Sequence, residues 1–271
     1  MLIAQITDLH IGPSKDSALN QSRFEAVLSK VGSLEPDLVL VTGDLTDSGN
    51  AEAYSQLRAR LATLATPILP AIGNHDQRET FIAAFGDAFV NEGFVQYAVE
   101  QDGLRIIVLD TVEAGQHAGA FCARRAAWLA ARLDESPDTP TLIAMHHPPV
   151  ASGIAWMDQG VDGAWSHRLG EALAGRSQVI GLVAGHLHRP MTAGFAGTSL
   201  VVAPASAPSV VLDLGPELGH GADAIPRIVE DEPGFAVHLW DGRSLVSHFA
   251  TAANPRVLAN LDVASGRIIA T

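Results

Sequence analysis

A single cysteine, Cys122, leaves this 271-residue chain no intrachain disulfide to form. Its place at the head of "CARRAAWLAARL" reads as a small packed residue at a helix start, and such sparing use of cysteine fits a reducing compartment. Basic residues are also scarce: 17 Lys and Arg stand against 30 Asp and Glu, a formal charge of -13. Affinity for nucleic acid comes largely from neutralising phosphates, so broad nucleic-acid binding is excluded as the leading function and a small substrate is expected. The opening "MLIAQITDLH" has no basic leader and meets a charge at Asp8, so neither a signal peptide nor a membrane span is expected and the chain is placed in the cytoplasm. There is no G-x-S-x-G elbow, internal repeat or low-complexity tract, and Cys122 lies far from every motif described below, so a covalent Ser or Cys nucleophile has no candidate.

What is present is apolar: 47% of the residues are hydrophobic, enough for a substantial core. Five apolar runs share one ending. They are "LIAQITDLH" (2–10), "DLVLVTGD" (37–44), "ILPAIGNHD" (68–76), "LIAMHHPP" (142–149) and "IGLVAGHLH" (180–188), each reading as a short buried strand that delivers Asp, Asn or His at its C-terminal end. Helical patterns lie between them, with Tyr54, Leu57, Leu61 and Leu64 on one face and Trp165, Leu169 and Leu173 on another. Such alternation predicts α/β units with polar residues gathered at one rim. Asp76 and Glu79 read as a capping pair ahead of "TFIAAF". After residue 197 the pattern turns strand-rich, with Asp241-Gly242 as a hairpin-like turn. The polar stretch 213–232 is either a cover over the site or an extended loop.

In "VAGHLHRP", His186 and His188 would project from one face if the strand ran through them, because side chains alternate with period two. Together with Asp8, His10, Asp44, Asn74 and His146 they supply two carboxylates, one amide and four imidazoles, a mixed oxygen and nitrogen set that suits transition metals. Seven ligands exceed what one ion takes, whereas two ions sharing a carboxylate use them all.

The motifs D-x-H (Asp8 to His10), G-D (Gly43, Asp44), G-N-H-D (Gly73 to Asp76), H-H-P (His146 to Pro148) and G-H-x-H (Gly185 to His188) together resemble the calcineurin-like metallophosphoesterase superfamily. They span about two-thirds of the chain. The segment "MHHPPVASGIAWMDQ" is similar to the branch of glycerophosphodiesterases and class III cyclic-nucleotide phosphodiesterases. The resemblance implies a four-layer α/β/β/α sandwich of two mixed β-sheets flanked by helices. It places the metal motifs in a catalytic core over residues 1–197, completed by a strand-rich part of the same domain over 198–271. It also implies two divalent or trivalent ions of the Mn, Fe, Zn or Co group: one on Asp8, His10, Asp44 and His188, the other on Asp44, Asn74, His146 and His186, with Asp44 shared and His147 behind the ligands.

The implied reaction is hydrolysis of a small phosphodiester, a 3',5'-cyclic nucleotide or a glycerophosphodiester, by attack of metal-bound hydroxide on phosphorus. His75 would face the phosphate or leaving group and Asp76 would orient it. Trp156, Met157 and His220 are candidate substrate contacts, and a homo-oligomer is expected from the same branch. A phosphomonoesterase on the same scaffold and a non-catalytic binding scaffold are the alternatives.

Overall fold

A computed structural model describes residues 1–215, 227–263 and 266–270. The first half runs β1 (Leu2–Ile6), α1 (Ser17–Ser33), β2 (Leu38–Thr42), α2 (Ala51–Leu61), β3 (Ile68–Ala71), α3 (Arg78–Phe85), β4 (Tyr97–Gln101) and β5 (Leu104–Val108). Next come α4 (Ala123–Glu135), β6 (Thr141–Ala144), α5 (Ala164–Leu173), β7 (Val179–Ala184), β8 (Met191–Phe195) and β9 (Thr198–Val202). The chain closes with β10 (Ser209–Val210), β11 (Ile228–Val229), β12 (Gly234–Trp240), β13 (Leu245–Thr251), β14 (Ala259–Asp262) and β15 (Arg267–Ala270).

The strands form two mixed sheets, β13-β12-β1-β2-β3 and β4-β5-β6-β7-β9-β8. Each has a parallel centre, β1-β2-β3 in one and β5-β6-β7-β9 in the other, with antiparallel strands at the edge. Continuous apolar runs are explained by burial on both faces. In β2, Val39 and Val41 face a core shared with α1, α2 and α3, while Leu38 and Leu40 face the other sheet. In β6 and the residue beyond, Ile143 and Met145 pack against α4 and α5, whereas Leu142 and Ala144 face inward. Alternate side chains therefore fill three cores, and the layers are helix, sheet, sheet, helix. Strands β9, β12 and β13 join these same two sheets.

Several local expectations are corrected. Helix α2 ends at Leu61, so Leu64 packs on the same core from beyond its end. Helix α3 is capped at Gln77 with no side-chain bond, so Asp76 and Glu79 form no capping pair. Of "SVVLDLG" only Ser209–Val210 is strand, paired with Ile228–Val229 in a small ribbon; the rest of the 213–232 stretch, His220 included, lies largely outside the described residues. Each motif-bearing strand also stops before its polar residues: β1 at Ile6, β2 at Thr42, β3 at Ala71, β6 at Ala144 and β7 at Ala184.

One buried polar group predicts an acid-sensitive fold. His238 on β12 is fully buried, bonding Gln5 Oε1 through Nε2 and Ser247 Oγ through Nδ1, and burial pushes it down to about 4. Below pH about 6.5 the unfolded chain takes a proton that the folded chain refuses, so stability falls on acidification through that window by about 3 kcal/mol in total. Melting temperatures of wild type and His238→Gln measured from pH 7.5 to 4 should diverge, with the variant losing less on acidification. Parallel curves would show that His238 titrates normally.

Candidate metal centre and pocket

The loops that follow β1, β2, β3, β6 and β7 converge at one end of the two sheets. Asp8, His10, Asp44, His186 and His188 all have positive φ, between 47° and 73°, where non-glycine residues are uncommon. Five of the seven candidate ligands thus hold a left-handed backbone, the kind of local cost that persists where side chains must be aimed. The turns also separate His186 from His188. The expected shared face does not form, because β7 has already ended: His186 lies against His146 and His147, whereas His188 lies against Asp8 and His10.

Hydrogen bonds fix which nitrogen of each imidazole points inward. His146 Nδ1 donates to the Thr42 carbonyl at 2.8 Å and His188 Nδ1 to the Pro208 carbonyl at 2.8 Å, while His10 Nδ1 faces Asp47 Oδ1 at 3.4 Å. In their neutral forms all three present a bare Nε2 to the interior. Asp44 Oδ2 stands 3.6 Å from His10 Nε2 and 3.4 Å from His146 Nε2, and its Oδ1 accepts the His75 backbone N–H at 2.9 Å. One carboxylate oxygen therefore faces both groups of imidazoles.

The donor set fits metal ions. His10 Nε2 and His188 Nε2 face one another at 3.1 Å, and His146 Nε2 faces the Asn74 Oδ1 acceptor at 3.1 Å. With the imidazoles neutral these are lone pairs directed at lone pairs, which a cation between them reconciles. Ligand atoms of Asp8, His10, Asp44 and His188 lie within 4.8 Å of one another, as do those of His146, His147 and His186. Burial lowers His186 and His188, keeping the neutral form that metals bind. His146 differs: burial would lower it, but the Asp44 carboxylate raises it to about 9, and the same pairing holds Asp44 well below the usual carboxylate range against its own burial.

His147 turns Nδ1 to Thr111 Oγ1 at 2.9 Å and leaves a buried Nε2 without a partner, beside the other imidazoles. The Asp76 carboxylate does not hydrogen-bond the His75 ring, whose Nδ1 is held by Asp47. That carboxylate accepts from the N–H groups of Leu45, Thr46 and Gly73, from Thr46 Oγ1 and from Tyr54 Oη at 2.9 to 3.1 Å. It holds the Asp44 and Asn74 loops together, which corrects its expected role. The His75 ring is oriented instead by the Asp47 carbonyl, which accepts from Nδ1 at 2.9 Å. Asp47, overlooked in the sequence, thus supports His75 through its backbone and His10 through its side chain, the carboxylate–imidazole arrangement that orients metal ligands. Its place in "GDLTD", three residues past Asp44, is the signal that could have found it.

Glycine makes room for this packing. A Cβ on Gly73 would lie 2.2 Å from Asp44 Oδ1 and 2.4 Å from the Asp44 amide nitrogen; one on Gly185 would lie 1.9 Å from Thr7 Oγ1. Gly73→Ala is expected to displace Asp44 and weaken metal retention at least about tenfold, measured as metal content after dialysis against graded chelator. Full metal retention in a folded variant would show that the loop yields freely.

A cavity of about 250 Å³ opens on the cluster. Trp156, Met157, Pro208, Val210 and Ile228 give it an apolar wall, and Asp16, Asn20, Asp47, His75 and His117 a polar one. Among the described residues lining it there is no lysine or arginine.

Comparison with known proteins agrees with this architecture. The chain is 32% identical over 259 residues to a probable glycerophosphodiester phosphodiesterase of Arcobacter nitrofigilis, covering 92% of each chain. It is 36% identical to a probable cyclic nucleotide phosphodiesterase of Rhodopseudomonas palustris, covering 85% of this chain and 89% of that one. A dimetal phosphatase from Danio rerio, 14% identical, superposes with a TM-score of 0.69 over 93% of this chain and 96% of that chain, a likeness of fold. Residues 1–190 match the calcineurin-like phosphoesterase family model, a span that takes in every loop converging on the imidazole and carboxylate cluster. This metal-binding hydrolase therefore belongs to the calcineurin-like phosphoesterase family.

Proposed function

We propose that the chain is a phosphodiesterase that holds two transition-metal ions and hydrolyses small phosphodiesters, either 3',5'-cyclic nucleotides or glycerophosphodiesters. The relatives named above act on these two substrate classes by their descriptions. The observation that carries the two-ion reading is Asp44 Oδ2, which faces His10 Nε2 on one side and His146 Nε2 on the other. Asp8, His10 and His188 complete one ligand set with Asp44, and Asn74, His146 and His186 the other. When bound, ions of the Mn, Fe, Zn or Co group polarise the phosphoryl group and lower the pKa of water.

The protein supplies orientation and proton chemistry around that pair. His75, its Nδ1–H held by the Asp47 carbonyl, lines the pocket, and with a second proton on Nε2 it would stabilise the leaving oxygen. Trp156 and Met157 give the leaving group an apolar surface. A wall that, among the described residues, has Asp16 and Asp47 and no lysine or arginine favours the single negative charge of a diester over the double charge of a monoester.

The test compares bis(p-nitrophenyl) phosphate with p-nitrophenyl phosphate, using chelator-stripped protein reloaded separately with Mn, Zn, Fe and Co. Metal-dependent cleavage of the diester in excess of the monoester is expected, and two metal equivalents per chain by elemental analysis. A monoester preference would replace this reading with a phosphomonoesterase.

A further inference from the structure

Arg23 on α1 is only 6% exposed, and it turns its guanidinium to main-chain carbonyls. Nε donates to the Ser206 carbonyl at 2.8 Å, Nη2 to the Ala207 carbonyl at 3.1 Å and Nη1 to the Asp231 carbonyl. Its ion pair with Asp231 Oδ1 is long, at 3.8 Å. A buried guanidinium is retained at a desolvation cost, and here its rigid fork of donors serves the backbone more closely than a counter-ion.

Two of those carbonyls belong to the irregular connection between β9 and β10, which passes beside the metal centre: the N–H groups of Ser206 and Ala207 donate to the Thr7 and Asp8 carbonyls, each at 3.0 Å. The next residue is Pro208, whose carbonyl accepts from His188 Nδ1 at 2.8 Å. Proline has no N–H by which the fold could hold that residue. The direction of its carbonyl is therefore set by its neighbours, and Arg23 reaches both sides. It binds the Ala207 carbonyl of the peptide unit leading into Pro208, and it binds Asp231, whose Oδ1 accepts from Ser209 Oγ at 2.6 Å. Arg23 itself lines no part of the pocket.

We propose that Arg23 is a positioning residue for the metal centre: by bracketing Pro208 it fixes the carbonyl that aims His188 Nε2, and so sets the affinity of the ligand set that His188 completes. This rests on the two-ion reading of the site. The experiment is a calorimetric titration of chelator-stripped protein with Mn(II). In Arg23→Met, which keeps the reach of the side chain and removes its donors, one Mn(II) binding event should weaken by about tenfold while the other keeps its wild-type affinity. Arg23→Lys, with one ammonium in place of the fork, should recover part of the loss and stands in should the methionine variant not fold. In a His188→Ala background Arg23→Met should weaken Mn(II) binding no further, because the carbonyl has no ring left to aim. Both affinities within about twofold of wild type in a folded variant, an equal loss at both events, or an undiminished loss in the His188→Ala background would overturn the proposal. If the wild type takes up a single Mn(II) equivalent, the two-ion reading fails, while the cycle with His188→Ala still decides whether Arg23 acts through that ring.

Discussion

Asp44→Asn is expected to lower diester turnover to that of chelator-treated wild type, with less than the full metal complement retained. Asp44 is 2% exposed, and its Oδ1 is occupied by the His75 N–H, so Oδ2 alone serves both imidazole groups. An amide in its place carries no charge, and with its NH₂ turned inward it would offer a donor where a ligand is needed. The backbone itself should tolerate the change, because Asp44 sits at φ 47° and Asn is among the residues that accept the left-handed region. Asn also keeps the shape of Asp, so the effect should be local. Elemental analysis after gel filtration, circular dichroism and kcat together decide the matter. A folded variant with two metal equivalents and turnover within about tenfold of wild type would remove Asp44 from the bridging position.

His75→Ala should separate metal binding from turnover. His75 contributes its backbone N–H to Asp44 and its ring to the pocket, so alanine keeps the first contact and loses the second. A fall in kcat of about 10²–10⁴ is expected, the usual worth of a positioned proton donor, with metal content unchanged. A substrate whose leaving group is already a stabilised anion should lose less, because it needs less help in departing. Comparing p-nitrophenyl and alkyl diesters tests this: equal losses on both would place His75 on the phosphate rather than on the leaving oxygen, and no loss on either would dismiss it.

The local features hardest to read in the chain are those decided by hydrogen bonds between distant residues. The β4–β5 hairpin is the exception, a local D-G turn through Asp102 and Gly103, both at positive φ, that the metal motifs overshadow. Asp76 followed by Glu79 looks like a helix cap until Tyr54 and the N–H groups of Leu45, Thr46 and Gly73 claim its carboxylate. His117 resembles any loop histidine, because nothing within "EAGQHAGAF" announces a neighbour 43 positions earlier at Asn74.

By itself the sequence determined the layered α/β architecture and the family, because apolar strands ending in Asp, Asn and His at fixed intervals are properties of the linear order. It determined too that no intrachain disulfide forms, because Cys122 has no second cysteine to pair with. Tertiary structure alone decided how these side chains are aimed. Left-handed turns after β1, β2 and β7 swing His186 and His188 apart and set Asp44 Oδ2 between two imidazole groups, an outcome that strand periodicity contradicts. It also decided that Asp47 rather than Asp76 supports His75. The physical reason is that an imidazole's direction depends on which acceptor holds its other nitrogen. Those acceptors, the carbonyls of Thr42, Asp47 and Pro208, are backbone atoms that every residue type possesses and only folding brings near.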